Sequence, residues 1–214
     1  MVIAIDGPAG SGKGSVANII ANDLNILYID TGATYRAVSL AILENNIDIN
    51  DREKIVALAK TLDIKLTKDL KVYLNNIDVT DKIRSKEVSD IVSIVSKIEE
   101  VREILVDLQR KMIDGDAILE GRDITTVVCP NADFKFYLDA SLEERIKRRM
   151  KQNERKGINM TYEEVYNNIK TRDYNDTHKE IGALKRTADQ IYIDTSNMTK
   201  EEVATKMLEI VRSK

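Results

Sequence analysis

Residues 2–15 read Val2-Ile3-Ala4-Ile5-Asp6-Gly7-Pro8-Ala9-Gly10-Ser11-Gly12-Lys13-Gly14-Ser15, a short apolar run that breaks at an acidic residue and a glycine-rich turn. Beyond it Val16, Ile19, Ile20 and Leu24 recur at helical spacing. The stretch is therefore a strand, a loop and a helix. Small residues in such a loop let successive backbone amides turn inward around a phosphate, and the helix N-terminus adds a partial positive charge. Lys13 can reach the outer phosphates of a nucleoside triphosphate as a point charge, while the hydroxyl of Ser15 or Ser11 is available to a phosphate or to the shell of a magnesium ion. A glycine-rich turn without a ligand is the bland alternative. Six small residues with a lysine at this spacing, between strand and helix, make it the weaker one.

The same alternation continues outward. Ile26 to Ile29 is a second apolar run, ending at Asp30-Thr31-Gly32, and Ala37, Val38, Ala41 and Ile42 mark the next helix. Residues 64–80 change character: Ile64 to Thr67, Lys71 to Leu74 and Ile77 to Val79 alternate apolar with polar around Asn75-Asn76, which predicts a small antiparallel sheet inserted between helices. Val88, Ile91, Val92 and Val95 give one helix and Val101, Leu105, Leu108 and Met112 another. Ala117 to Leu119, Phe134 to Leu138 and Ile191 to Ile193 read as further buried strands. Ser141 with Glu144, Thr161 with Glu164 and Thr199 with Glu202 predict capping boxes at three later helices. Strands divided by helices imply an α/β three-layer sandwich around a parallel sheet.

Composition bounds the rest. With 214 residues, 43% apolar and 32% charged, the chain is expected to fold as one domain spanning 1–214. A net charge of −3 argues against a general nucleic-acid binder. Cys129 is the only cysteine, so no internal disulfide forms. No apolar run approaches the roughly 20 residues a membrane span requires, and the N-terminus lacks the apolar stretch of a signal peptide. The expectation is a cytoplasmic monomer with no membrane and no nucleic-acid partner. His178 is the only histidine and is expected at the surface.

A phosphoryl-transfer enzyme must hold a second, often anionic, substrate against like-charge repulsion, which calls for arginines. Arg36, Arg84, Arg102, Arg122, Arg148, Arg149 and Arg172 are spread along the chain, several just beyond predicted strands. In an open parallel sheet ligands gather at the carboxyl ends of strands, where Thr31, Arg36, Arg122 and Asp123 should converge with the phosphate loop. Taken singly each arginine is more readily a surface residue. Two in strand-end loops with nearby hydroxyls and carboxylates reverse that preference.

At this point the chain resembles the bacterial cytidylate kinases along essentially its whole length. The stretches that carry the resemblance are Ile5 to Ser15 with Gly14 directly after Lys13, Asp30-Thr31-Gly32-Ala33 with Tyr35-Arg36-Ala37, Ile83-Arg84 with Glu87-Val88-Ser89, Val101-Arg102-Glu103, Gln109-Arg110, Glu120-Gly121-Arg122-Asp123-Ile124 with Thr126-Val127-Val128, and Arg172-Asp173 with Asp176. It implies a P-loop nucleoside monophosphate kinase that moves the γ-phosphoryl group of ATP, with Mg2+, onto CMP or dCMP. It further implies that residues 7–15 bind ATP, that Thr31, Arg36 and Arg122 hold the acceptor phosphate, that Ser93, Arg102 and Asp123 recognise cytosine, and that Arg172 and Asp176 hold the sugar. An enlarged monophosphate-binding insert over about 60–98 and a mobile helical lid over about 141–160 come with it.

Arg145, Lys147, Arg148, Arg149, Lys151, Arg155 and Lys156 crowd the lid. Most of these charges read as a solvated helix face, while the resemblance implies that Arg148 and Arg149 meet the ATP phosphates on closure. The sequence departs from the family pattern at Lys179, where the resemblance implies an arginine, and at Glu99, Thr125, Cys129 and Ala183. On the residues alone a kinase for UMP, AMP or another small acceptor stays open, as does a nucleotide-dependent switch.

Overall fold

The computed structural model describes residues 1–155 and 157–213. The chain runs β1 (Val2–Asp6), α1 (Lys13–Leu24), β2 (Leu27–Asp30), α2 (Thr31–Glu44), α3 (Arg52–Ala59), β3 (Ile64–Leu66), β4 (Val72–Leu74), β5 (Ile77–Asp78), α4 (Lys86–Val95), α5 (Glu99–Lys111), β6 (Ala117–Gly121), β7 (Phe134–Asp139), α6 (Leu142–Arg155), α7 (Tyr162–Thr177), β8 (Ile191–Asp194) and α8 (Lys200–Arg212). A 3-10 turn covers Lys82–Arg84 and a π-helical turn Ile124–Val128.

Five strands form the central sheet in the order β2-β6-β1-β7-β8, every pair parallel. Side chains of a strand alternate between faces, and β1 is apolar on both. Ile3 and Ile5 pack with Phe136 and Leu138 against Val16 and Ile20 of α1 and Met207 and Val211 of α8. Ala4 turns the other way, with Ile29 and Leu119, to meet Val106 of α5 and Ile124 and Val128 of the π-helical turn. Helices on both faces of one parallel sheet make the three layers. Phe136 of β7, beside the central strand, is fully buried, and such a side chain contributes about 1.5–3 kcal/mol.

Two further clusters flank this core. One joins α2, α3, α4 and α5 to the antiparallel sheet β3-β4-β5 through Ala37, Ile55, Leu74, Val88 and Leu105. The other lies between α6 and α7 and is made of Ile146, Val165 and Ile169. Because the central strands all point one way, the segments after β1, β2 and β6 open on a single rim.

Several local features differ from the sequence reading. The segment after β2 is no loop: α2 begins at Thr31, because the Asp30 carboxylate accepts from the Ala33 amide at 3.1 Å and caps it. Complete capping boxes open α7 and α8. At Ser141 only half of one forms: its hydroxyl accepts from the Glu144 amide, but the Glu144 carboxylate turns to Arg148 and the Ser141 amide goes to Ser196 Oγ at 2.8 Å. Helix α3 and the π-helical turn were not anticipated. Lys156, the last of the basic run that begins at Arg145, lies outside the described residues.

Candidate active site

The turn between β1 and α1 is built for close approach. Gly7, Gly10 and Gly12 adopt φ of 152°, 82° and 94°, and at the last two, in the left-handed region, side chains are strained. At Gly7 a Cβ would stand 2.0 Å from the Leu138 carbonyl oxygen, so the loop must be glycine where it leaves the sheet. Lys13 folds back into the loop, donating from Nζ to the Gly7 and Pro8 carbonyls at 2.8 Å each. Ser11 Oγ donates to Pro8 at 3.1 Å. Burial, followed by the nearby cations Arg122 and Arg172, lowers the Lys13 ammonium below its ordinary range. Pro8 and Ala9 complete the turn, Gly14 and Ser15 lie in the first turn of α1, and Ser15 is exposed at the mouth.

Facing this loop is a cavity of about 840 Å³. Thr31, at the start of α2, donates its hydroxyl to the Glu120 carbonyl at 2.8 Å, fastening α2 to the end of β6. Arg36 and Arg122 line the same cavity, joined by Arg149 from α6 and Arg172 from α7. Two of these guanidiniums are depressed: burial and then Arg36 and Arg122 lower Arg149, and burial and then Arg122 and Arg36 lower Arg172. Arginine stays charged regardless. The crowding marks a place where a multiply charged anion removes like-charge repulsion.

Deeper in, Asp123 pairs with Arg102. Both are nearly buried, at 7% and 4% exposed. Burial raises the Asp123 carboxyl and Arg102 opposes the rise. Arg102 also donates to the Ser96 carbonyl at 3.3 Å and lies 5.7 Å over the Tyr35 ring, while its Nε is buried without a partner. Ser93 of α4 lines the wall beside them. Arg172 and Asp176 share α7. Arg122 Nε donates to Asp176 Oδ2 at 2.6 Å and Lys179 reaches its other oxygen at 3.2 Å. Burial alone would raise that carboxyl, yet Arg122, Lys179 and Arg172 hold it down at about 2.

The basic residues of α6 divide. Arg148, Arg149, Lys151 and Arg155 line the cavity, and Arg149 donates to Gln152 at 2.9 Å. Arg148 turns its fork onto the segment after β8, donating to the Thr195 hydroxyl at 3.0 Å and the Thr195 carbonyl at 2.5 Å, with a longer bond to Ser11 O at 3.3 Å. Arg145 departs from the solvated face expected for most of this run: it is 8% exposed.

Two positions were not singled out from the sequence. Asp6 is buried and accepts from the Ile124 and Thr125 amides at 2.8 and 2.9 Å and from the Thr125 hydroxyl at 2.6 Å, so the end of β1 fixes the loop that carries Arg122 and Asp123. An acidic residue closing an apolar strand was the available signal. Gly182, at φ 68°, lies so close to the Arg102–Asp123 pair that a Cβ would stand 2.0 Å from Arg102 Nη2. No local spacing announces it.

A glycine cradle facing crowded arginines across a parallel-sheet rim defines a P-loop kinase. A family model described as Cytidylate kinase matches residues 3–213, and the chain belongs to the cytidylate kinase family. The cytidylate kinase of Carboxydothermus hydrogenoformans is 46% identical over 218 residues, covering 100% of this chain and 98% of its own. That of Bacillus subtilis is 46% identical over 216 residues, covering 99% and 96%. Among solved structures, an uncharacterized protein from Eubacterium ventriosum matches with a TM-score of 0.55 at 13% identity, covering 100% of this chain and 99% of that one. TT1252 from Thermus thermophilus gives 0.51 at 16%, covering 100% and 96%. These two likenesses show the fold alone.

Proposed function

We propose that the chain transfers the γ-phosphoryl group of ATP to CMP or dCMP. The observation that carries this is the buried Arg102–Asp123 pair in the wall of the cavity, reached from the same rim as the phosphate loop. A carboxylate accepts only, so it pairs with the exocyclic amine of cytosine and leaves uracil, which presents a carbonyl there, without a donor. Ser93 and Lys179 stand on the walls around this pair, and Arg172 with Asp176 is placed for the sugar.

The phosphate loop, residues 7–15, holds ATP, with Lys13 leaving its carbonyl partners for the transferred phosphate. Thr31, Arg36 and Arg122 hold the acceptor phosphate. Arg148 and Arg149 of α6 meet the ATP phosphates on closure, Arg148 from beside the phosphate loop, where it already reaches the Ser11 carbonyl, and Arg149 from the cavity wall. Among the described residues no group of three acidic, histidine or cysteine side chains could cage a metal. Magnesium would therefore be held largely by the ATP phosphates and water, with Ser15 at the mouth of the loop fitting one ligand position, and its charge neutralises the phosphates when bound.

The acceptor oxygen attacks the γ-phosphorus in line and ADP leaves, with no covalent enzyme intermediate. Acceleration comes from alignment and from fixed positive charge in a site closed to water. Closure involves the insert over about 60–98 and the lid over about 141–160, within one domain acting as a monomer. The test is ADP release with ATP and magnesium, comparing CMP, dCMP, UMP, AMP and no acceptor. Fast turnover with CMP and dCMP alone supports the reading. Equal rates with UMP or AMP would reassign the acceptor, and slow hydrolysis indifferent to acceptor would point to a switch.

A further inference from the structure

Arg145 joins the two halves of the site without facing either nucleotide. Its Nη1 donates to the Ala9 carbonyl in the phosphate loop at 3.0 Å and to Asp173 Oδ2 on α7 at 2.6 Å, and its Nε donates to the Ala140 carbonyl at 3.1 Å. Gly10 lies against it, its absent Cβ falling 3.2 Å from the Arg145 Cβ. Asp173 follows Arg172 directly and precedes Asp176 by one helical turn, so the helix that carries the proposed sugar-binding pair is tied through one guanidinium to the loop that receives the triphosphate.

We propose that Arg145 and Asp173 are positioning residues that couple the two nucleotide sites, so that ATP in its loop strengthens binding of the acceptor. This rests on the assignment of ATP and CMP made above. The second oxygen of Asp173 is buried and has no hydrogen-bond partner. A buried acceptor left unmade is costly, so the resting arrangement is one from which a small shift of α7 is rewarded. When the loop closes on phosphates, the Ala9 carbonyl, Arg145 and α7 move as one connected polar chain. Coupling between sites is reciprocal: CMP strengthens ATP binding by the same factor.

The test is calorimetric binding of CMP to the full chain, with and without saturating non-hydrolysable ATP analogue (AMP-PNP) and magnesium. The wild-type protein is expected to bind CMP about fivefold or more tightly when the analogue is present. In Asp173→Asn, which keeps the shape and removes the charge, each nucleotide alone should bind within about twofold of wild type while the ratio falls to about one. Arg145→Lys, which cannot bridge two acceptors in a planar fork, should do the same. A wild-type ratio of one overturns the coupling, as does a ratio kept in both variants or a parallel loss of both single affinities. Failure of CMP to bind the wild-type chain at all would sink the acceptor assignment, and the coupling with it.

Discussion

Lys179 Nζ lies 3.2 Å from Asp176 Oδ1, on the edge of the carboxylate opposite the one Arg122 holds. The Lys179 side chain is only 8% exposed and its ammonium is lowered chiefly by burial, so it is committed to this corner of the cavity. An arginine there would present a planar fork, able to serve Asp176 and a bound base together; lysine serves them from one point. Lys179→Met should raise the KM for CMP by about tenfold, the effect of one charge-assisted hydrogen bond, with kcat changed little. Lys179→Arg should hold the KM at or below the wild-type value. Steady-state kinetics on both variants checks this, and an unchanged KM in the methionine variant removes Lys179 from the acceptor site.

Lys13→Met should lower kcat by at least about a hundredfold, the scale of losing one preorganised charge at the transferred group. Because burial already disfavours the ammonium, the methionine variant should melt no earlier than the wild type. Thermal denaturation beside the activity assay separates the two effects.

Asp123→Asn exchanges an obligate acceptor for a group that can donate or accept. CMP turnover per unit KM should fall by about 10–100-fold and the preference for CMP over UMP should shrink accordingly. The quantity to measure is the ratio of kcat/KM for the two acceptors, which a mere loss of folded protein leaves alone.

Gly182→Ala places a methyl group 2.0 Å from Arg102 Nη2 and 2.5 Å from Asp123 Oδ2, at a backbone φ of 68°. The pair must move and the backbone is strained, so the expected loss is about 1–3 kcal/mol of stability. The KM for CMP should rise more than tenfold while the KM for ATP holds. Comparable changes in both KM values would show that the segment is a general support.

Asp176 is held at about 2 against an ordinary value of 3.8. A depressed carboxyl stabilises the fold above its unfolded-state value and loses that contribution as pH falls from there through about 2. The contribution is on the order of 2 kcal/mol. The gap in urea stability between wild type and Asp176→Asn should therefore narrow as pH drops from 5 towards 2. A gap independent of pH would mean that the asparagine costs only packing.

Much of the site was legible because its residues act where strands end. Val2 to Asp6 and the glycines after it announce a strand and a cradle, and Thr31, Arg36, Arg122 and Asp123 follow their strands closely enough for topology alone to gather them. Arg145 was read with its neighbours as one basic helix face, since spacing along α6 says nothing of Ala9 and Asp173 beneath one residue of it. Gly182 and Asp6 act on partners far away in sequence, Arg102 and Thr125 among them. Capping boxes show the same limit. Thr161 and Thr199 needed only their own helices, whereas Glu144 was drawn away by Arg148.

Helices α6 and α7 carry a private patch of oil in Ile146, Val165 and Ile169, while the forks of Arg145 and Arg148 grip carbonyls of the main body. In the proposed lid motion, swinging this hairpin outward would uncover little grease and mainly break polar latches, which water can replace one for one. Such an opening would be cheap and need no melting, and hydrogen exchange should find this hairpin released long before the sheet beneath it.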